Sequence, residues 1–326
     1  MPQVTIIYNP LAGPQTWAPA IQDVARLWQS YGWQVAVQAT AYAGHATELA
    51  RQAAASGRDL VISGGGDGTL GEVTNGLVGT ETALALLPMG TGNSFAKELG
   101  MTPRLGFYGP DRLFTFAQSL LKGRLYEMDV GYTLGGRHWL LWTSVGVDSY
   151  VVDRIEPRSK LAKRLGPIGY IGEGLPAISL FGGMSADVEI DGRSYSGDHL
   201  MVIISNCRLY GGGELNLNPT AVLDDGYFEV WLFGGKVIAG REIPESLTAF
   251  QYLFEVALGR HAQDPNVQKV IGRHVRVTTD PTLPFQQDGD PAGETPFVCE
   301  IQPRALRVLV PPTAPAGLFS RPGRPL

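Results

Sequence analysis

Two glycine-rich turns lie less than thirty residues apart, Gly64-Gly65-Gly66-Asp67-Gly68-Thr69 and Gly90-Thr91-Gly92-Asn93. Each follows a short apolar run that reads as a strand, Leu60-Val61-Ile62 and Leu84-Ala85-Leu86-Leu87. Glycine lets backbone approach a ligand closely and adopt positive φ, so successive N–H groups can aim at an anion. A helix that begins at such a turn adds the positive end of its dipole. A repeated strand, glycine turn and helix therefore points to an α/β sheet with a phosphate ligand at the carboxyl ends of its strands.

The flanking sequence keeps that alternation. A strand over 4–8 leads to Asn9-Pro10-Leu11-Ala12-Gly13, and a helix follows from about Trp17 to Tyr31 with Ile21, Val24, Ala25, Trp28 and Tyr31 on one stripe. A strand over 33–39, a helix over 43–56, the two strand–turn units and a helix over 110–122 continue the series. Strands alternating with helices predict a parallel sheet covered on both faces, a three-layer α/β domain over 1–125. Beyond it, short alternating segments at 125–134, 138–147, 185–191, 199–206, 227–233, 274–279 and 297–301 predict an antiparallel, β-sandwich-like domain over 126–303. One helix, about 243–259, interrupts it. A late strand within 304–312 is expected to rejoin the first domain, and the Pro- and Gly-rich residues 313–326 read as a flexible tail.

Bulk properties narrow the partners. A formal charge of −5 argues against a dedicated nucleic-acid binder. The chain has no signal-like start and no apolar run near the ~20 residues that span a bilayer, so a cytoplasmic protein is expected. Cys207 and Cys299 show no metal spacing and read as reduced core thiols. His45 reads as a helix-surface or capping group.

Asp67 carries the chemistry. A carboxylate inside a phosphate-gripping turn repels the ligand unless a cation bridges the two or the acid handles a proton. The plainer reading is a cap on the following helix. A Rossmann site is disfavoured, because the spacing is not G-x-G-x-x-G and no acid ends the next strand; no Gly-Lys-Ser/Thr marks a P-loop either. Gly65-Gly66-Asp67-Gly68-Thr69, continued to Leu77, resembles the nucleotide motif of the diacylglycerol kinase catalytic domain. That superfamily includes bacterial lipid kinases and sphingosine kinases and shares a fold relation with NAD kinases. Asn9-Pro10 with Gly13, Thr40 with Gly44-His45-Ala46, Leu87 to Ala96, Ser144 to Asp148, Leu223 to Gly226 and Gln287 to Asp290 extend the resemblance in order over about residues 3–310.

The resemblance implies an ATP-dependent lipid kinase, with diacylglycerol the leading acceptor and a sphingoid base or phosphatidylglycerol as alternatives. It implies that Asn9, Thr40, Gly65, Gly66, Asp67, Gly68, Thr69, Glu72, Gly90, Thr91 and Asn93 hold ATP. Asp67 acts in a Mg²⁺–phosphate network, and the metal is held by Asp225 with the carbonyls of Val222 and Tyr227. The letters Asp224-Asp225-Gly226 would equally encode a hairpin turn. Asp290 becomes the proton acceptor, in an interdomain cleft, with Asp67 and Asp288 as rivals. Two departures stand out: Asp290 replaces the usual glutamate, and Ser94 stands where many bacterial members carry aspartate. Asp129 sits where relatives have another network acid. A small-molecule kinase resembling NAD kinase and a catalytically weak nucleotide-binding regulator are the other readings. Arg154, Arg158, Lys160, Lys163 and Arg164 form either a solvated helix face or a contact for anionic membrane. A homodimer through exposed β edges is also open.

Overall fold

The computed structural model describes residues 1–13, 17–102, 109, 111–155, 178, 180–235, 237–238, 241–242 and 244–326. The chain divides into two compact units: Met1–Val130 with Val222–Asp225 and Pro303–Leu326, and Gly131–Ala221 with Gly226–Gln302.

The first unit is built from β1 (Gln3–Tyr8), α1 (Ala18–Ser30), β2 (Gln34–Ala39), α2 (His45–Ala55), β3 (Leu60–Gly65), α3 (Asp67–Leu77), β4 (Ala83–Pro88), α4 (Ser94–Glu98) and α5 (Asp111–Leu120). Its strands run parallel in the order β2-β1-β3-β4. All six residues of β3 and of β4 are buried, as strands covered on both faces must be. Helix α1 packs with α5, and α2 with α3. The expected stripe of α1 buries Ile21, Val24, Ala25 and Trp28. Tyr31 departs from it: it lies past the last turn and is exposed, while Trp28 meets Trp33 edge-on.

The second unit is antiparallel. The chain enters it along β5 (Arg124–Thr133) and continues through β6 (His138–Trp139), β7 (Trp142–Gly146), α6 (Val147–Ile155), β8 (Met184–Ile190) and β9 (Arg193–Ser205). Then come β10 (Leu209–Tyr210), β11 (Leu215–Asn216), β12 (Phe228–Gly234), β13 (Val237–Ile238), β14 (Arg241–Glu242) and α7 (Glu245–Ala257). β15 (Val267–Gly272), β16 (His274–Asp280), β17 (Pro284–Gln287), β18 (Asp290–Glu294) and β19 (Phe297–Val310) complete the unit. Long β9 organises it: its first half pairs β8, and its second half lies between β7 and β12. The late strand is the second half of β19, whose Val308 pairs in parallel with Leu84 of β4. Cys207 and Cys299 are free and buried.

Residues 313–326 differ from the expected flexible tail. Leu318 is buried, Phe319 stacks on Tyr126 at 4.3 Å, and Arg324 pairs with Leu125 in a short strand, β20 (Arg324–Pro325). Two apolar side chains thus anchor a segment whose composition alone suggested a loop. Of the basic cluster, Arg154 is described and lies over the Tyr150 ring at 3.4 Å; Arg158, Lys160, Lys163 and Arg164 fall outside the described residues.

Candidate active site

The register of the first unit aligns four strand ends. Tyr8 is opposite both Ala39 and Gly64, and Gly65 is opposite Pro88. The residues that follow, Asn9, Thr40, Gly66 and Gly90, therefore share the carboxyl edge of the sheet. Asn9 donates its N–H to Gly64 O at 2.8 Å and accepts from Leu11 N–H at 2.9 Å, and Thr40 N–H donates to Tyr8 O at 2.9 Å.

At this edge the two glycine turns are one structure. A Cβ on Gly90 would lie 2.5 Å from the Gly66 Cα. Asn93, in the left-handed region, closes the second turn by accepting from Gly90 N–H at 3.0 Å and donating to Gly90 O at 2.6 Å. Because both neighbours at the Gly66–Gly90 contact are backbone, Gly90→Ala is expected to push the turns apart. ATP affinity should fall at least about tenfold and stability by about 1–3 kcal/mol, measurable by titration calorimetry and thermal melts.

Asp67 ties the turns together. It is the first residue of α3, yet its carboxylate caps α4: Oδ1 accepts from Ser94 N–H at 2.7 Å and the Phe95 N–H also donates. Ser94 Oγ lies 3.4 Å from Oδ2. Burial pushes the Asp67 pKa up, against those hydrogen bonds and the nearby Lys97 charge. Ser94 thus leaves a single carboxylate where two like charges would otherwise compete. Glu72 accepts from Gly44 N–H at 2.9 Å and Ala46 N–H at 3.1 Å and so caps α2. His45 likewise accepts from Ala41 N–H at 3.1 Å and stacks on Tyr42.

The acids around residue 224 separate by role. Asp224 accepts from Ser320 N–H at 2.6 Å and Arg321 N–H at 3.3 Å, whereas Asp225 is exposed on its loop beside half-buried Val222. Tyr227 belongs to the second unit, with the Arg273 guanidinium 4.4 Å from its ring. Buried Asp129 accepts from Arg304 N–H at 2.7 Å. No group of three or more His, Cys, Asp or Glu among the described residues is arranged to hold a metal by itself. The carboxylate and carbonyl donors are nevertheless hard oxygens of the kind Mg²⁺ takes when phosphate and water complete its shell.

In the second unit, Asp288 and Gly289 both have positive φ and form the two-residue turn of the β17–β18 hairpin, which places Asp290 opposite Gln287. The two acids of this turn differ sharply. Asp288 accepts from the N–H groups of Leu140 and Leu141, both at 2.8 Å, and of Trp142 at 3.2 Å. Burial still pushes its pKa up to about 6. Its lone pairs are committed to three N–H groups, which fixes the turn that carries Asp290. Arg137 grips the same turn, donating to Gln287 Oε1 at 3.2 Å and Gln287 O at 3.0 Å, with Asp290 Oδ2 at 3.6 Å. The ion pair is half-exposed and adds only about 0–1 kcal/mol to stability. Arg137→Ala is expected to cost about 1–3 kcal/mol through the Gln287 oxygens it leaves short of a donor, while lowering kcat on the order of tenfold through lost orientation. Steady-state kinetics beside a thermal melt separates this from a purely structural loss.

A further network joins the Ser144–Asp148 motif to this hairpin. Ser144 and Tyr210 hydroxyls donate to Asp148 Oδ2, the Gln286 amide donates to Ser144 Oγ, and Gln286 Oε1 accepts from Gly289 N–H at 2.8 Å. Burial raises the Asp148 pKa. Sequence reasoning marked Asp148 but missed Tyr210 and Gln286, whose approach depends on strand pairing rather than on local pattern.

Comparison with known proteins follows the same two-part division. Residues 3–133 match the model of the diacylglycerol kinase catalytic domain, and 142–310 that of the YegS C-terminal NAD kinase beta sandwich-like domain. A diacylglycerol kinase of Bacillus subtilis (strain 168) is 27% identical over 95% of this chain and 97% of its own length. A probable lipid kinase YegS-like of Klebsiella pneumoniae (strain 342) is 27% identical over 91% and 93%. A crystal structure of a diacylglycerol kinase from Bacillus anthracis str. Sterne has the same fold, with TM-score 0.69 at 20% identity over 96% of this chain and 98% of that one. Matched in order across both units, the chain belongs to the diacylglycerol kinase family.

Proposed function

We propose that the protein transfers the γ-phosphoryl group of ATP to the free hydroxyl of diacylglycerol, giving phosphatidic acid and ADP. The observation that carries this reading is the Asp67 carboxylate, which binds both glycine turns into one cradle at the strand ends. The backbone N–H groups of residues 65–69 and 90–93 hold the phosphates. Mg²⁺, held with the help of Asp225 and the Val222 and Tyr227 carbonyls, supplies charge neutralisation when bound. Asp290 takes the proton of the acceptor hydroxyl as its oxygen bonds to phosphorus and the bond to the ADP oxygen breaks. Asp288 and Arg137 hold Asp290 in place, and Asp67 keeps the nucleotide turns in register.

The choice of diacylglycerol rests on relatives that are named diacylglycerol kinases, so a lipid panel tests it. Purified protein with γ-³²P-ATP and Mg²⁺ is expected to label diacylglycerol in mixed micelles above sphingosine or phosphatidylglycerol, and chelation by EDTA to stop labelling. Preferential labelling of another lipid would replace the acceptor. Labelling of none, with ATP still bound, would favour a regulatory role.

A further inference from the structure

The second unit shows an apolar surface that its own core does not use. Helix α7 is held by one narrow stripe, the buried Thr248, Tyr252 and Val256, spaced four apart so that they lie one above another. Tyr252 donates its hydroxyl to Gly234 O at 2.7 Å and packs edge-on against Phe233. The opposite side inverts the usual amphipathic pattern. Leu247 and Phe254 are 60% and 65% exposed, and Phe250, Leu253 and Leu258 at least 40%. Steps of three and four from 247 to 250, 254 and 258 put these side chains on one face. Gln251 and Glu255, bonded to each other at 2.8 Å, border it. Among the described residues, five of the fifteen exposed large apolar side chains thus fall within twelve positions. That is a contiguous patch, unlike the scattered exposure normal for a protein surface.

We infer that this face seats the protein on a lipid bilayer; the inference rests on the lipid-kinase reading above, which places the acceptor in a membrane. Phe and Leu occupy the centre of the face, with no ionisable side chain at 247, 250, 253, 254, 257 or 258. Exposed Arg260 follows the helix, which matches anionic headgroups beside an inserted apolar stripe. The five side chains present on the order of 500 Å², short of the ~800 Å² that each partner gives a stable protein interface. A second copy of the chain is therefore a poorer occupant than a bilayer, which needs only shallow insertion.

The test is sedimentation of the full chain with vesicles of equal parts phosphatidylcholine and phosphatidylglycerol, comparing wild type with the double variant Phe250→Ser, Phe254→Ser. Both side chains are exposed, so the variant should melt like wild type. Vesicle partitioning is expected to fall on the order of 30-fold. Phosphorylation of diacylglycerol in those vesicles should fall with it, while transfer to monomeric short-chain diacylglycerol stays unchanged. Unchanged partitioning overturns the inference. So does a wild-type dimer that the variant converts to monomer with vesicle binding intact. Lost partitioning in the variant, with wild type phosphorylating neither lipid, supports the surface and sinks the kinase reading instead.

Discussion

Asp67→Asn is expected to lower kcat for phosphoryl transfer about 10³-fold, a loss typical of removing a preorganised charge from a transition-state site. The substitution is nearly isosteric, so its effect is chemical and local. Asparagine keeps one oxygen to accept from Ser94 N–H, but it loses the charge and the second acceptor oxygen, which weakens the cap on Ser94 and Phe95 by about 1 kcal/mol. The turns should loosen together, so KM for ATP should rise as well. The raised pKa of Asp67 adds a pH signature. Its ionised form is needed, so activity should fall as pH drops through a value above the ordinary carboxylate range near ~4, and the variant should lack that limb. Transfer within tenfold of wild type, in a protein that still melts cooperatively, would remove Asp67 from the mechanism.

Asp290→Asn should cost 10²- to 10⁴-fold in kcat, the usual worth of a positioned general base. KM for ATP should stay constant, because Asp290 belongs to the second unit and the nucleotide turns to the first. Its carboxylate is one methylene shorter than the glutamate usual at this place, but the hairpin beneath it is firmly set by Asp288 and Arg137. Asp290→Glu should therefore retain activity within about tenfold, since reach near 3 Å to the proton is recovered by side-chain rotation. If Asp290→Asn retains that level too while Asp67→Asn does not, the proton acceptor is Asp67.

Much of the fold was legible because its signals are local. Strand runs, glycine turns and the Asp288-Gly289 hairpin each lie within a few residues, and the sheet rules do the rest. The site was legible as composition but not as connection. Nothing in the spacing of 67 and 94 says that Asp67 caps the helix starting at Ser94 rather than its own, and nothing near Glu72 in the sequence says that it accepts from Gly44 and Ala46. The two acids at 288 and 290 could not be told apart, because what separates them is three N–H groups from residues 140–142. Helix α6 hid behind valines that favour strand, and the C-terminal segment behind prolines and glycines that hold Leu318 and Phe319.

Strand β19 has a consequence for how the protein comes into being. Its second half, from Pro303, covers the edge of β4, so the unit that carries both glycine turns includes residues 303–326. During synthesis the first 130 residues emerge with that edge uncovered, and an uncovered edge invites pairing with other chains. That edge can be covered only once β19 has been made, when nearly all of the other unit has already been synthesised. A fragment cut near residue 125 would keep both glycine turns and still lack the strand that protects them, so this half of the enzyme cannot be borrowed as a free-standing ATP module.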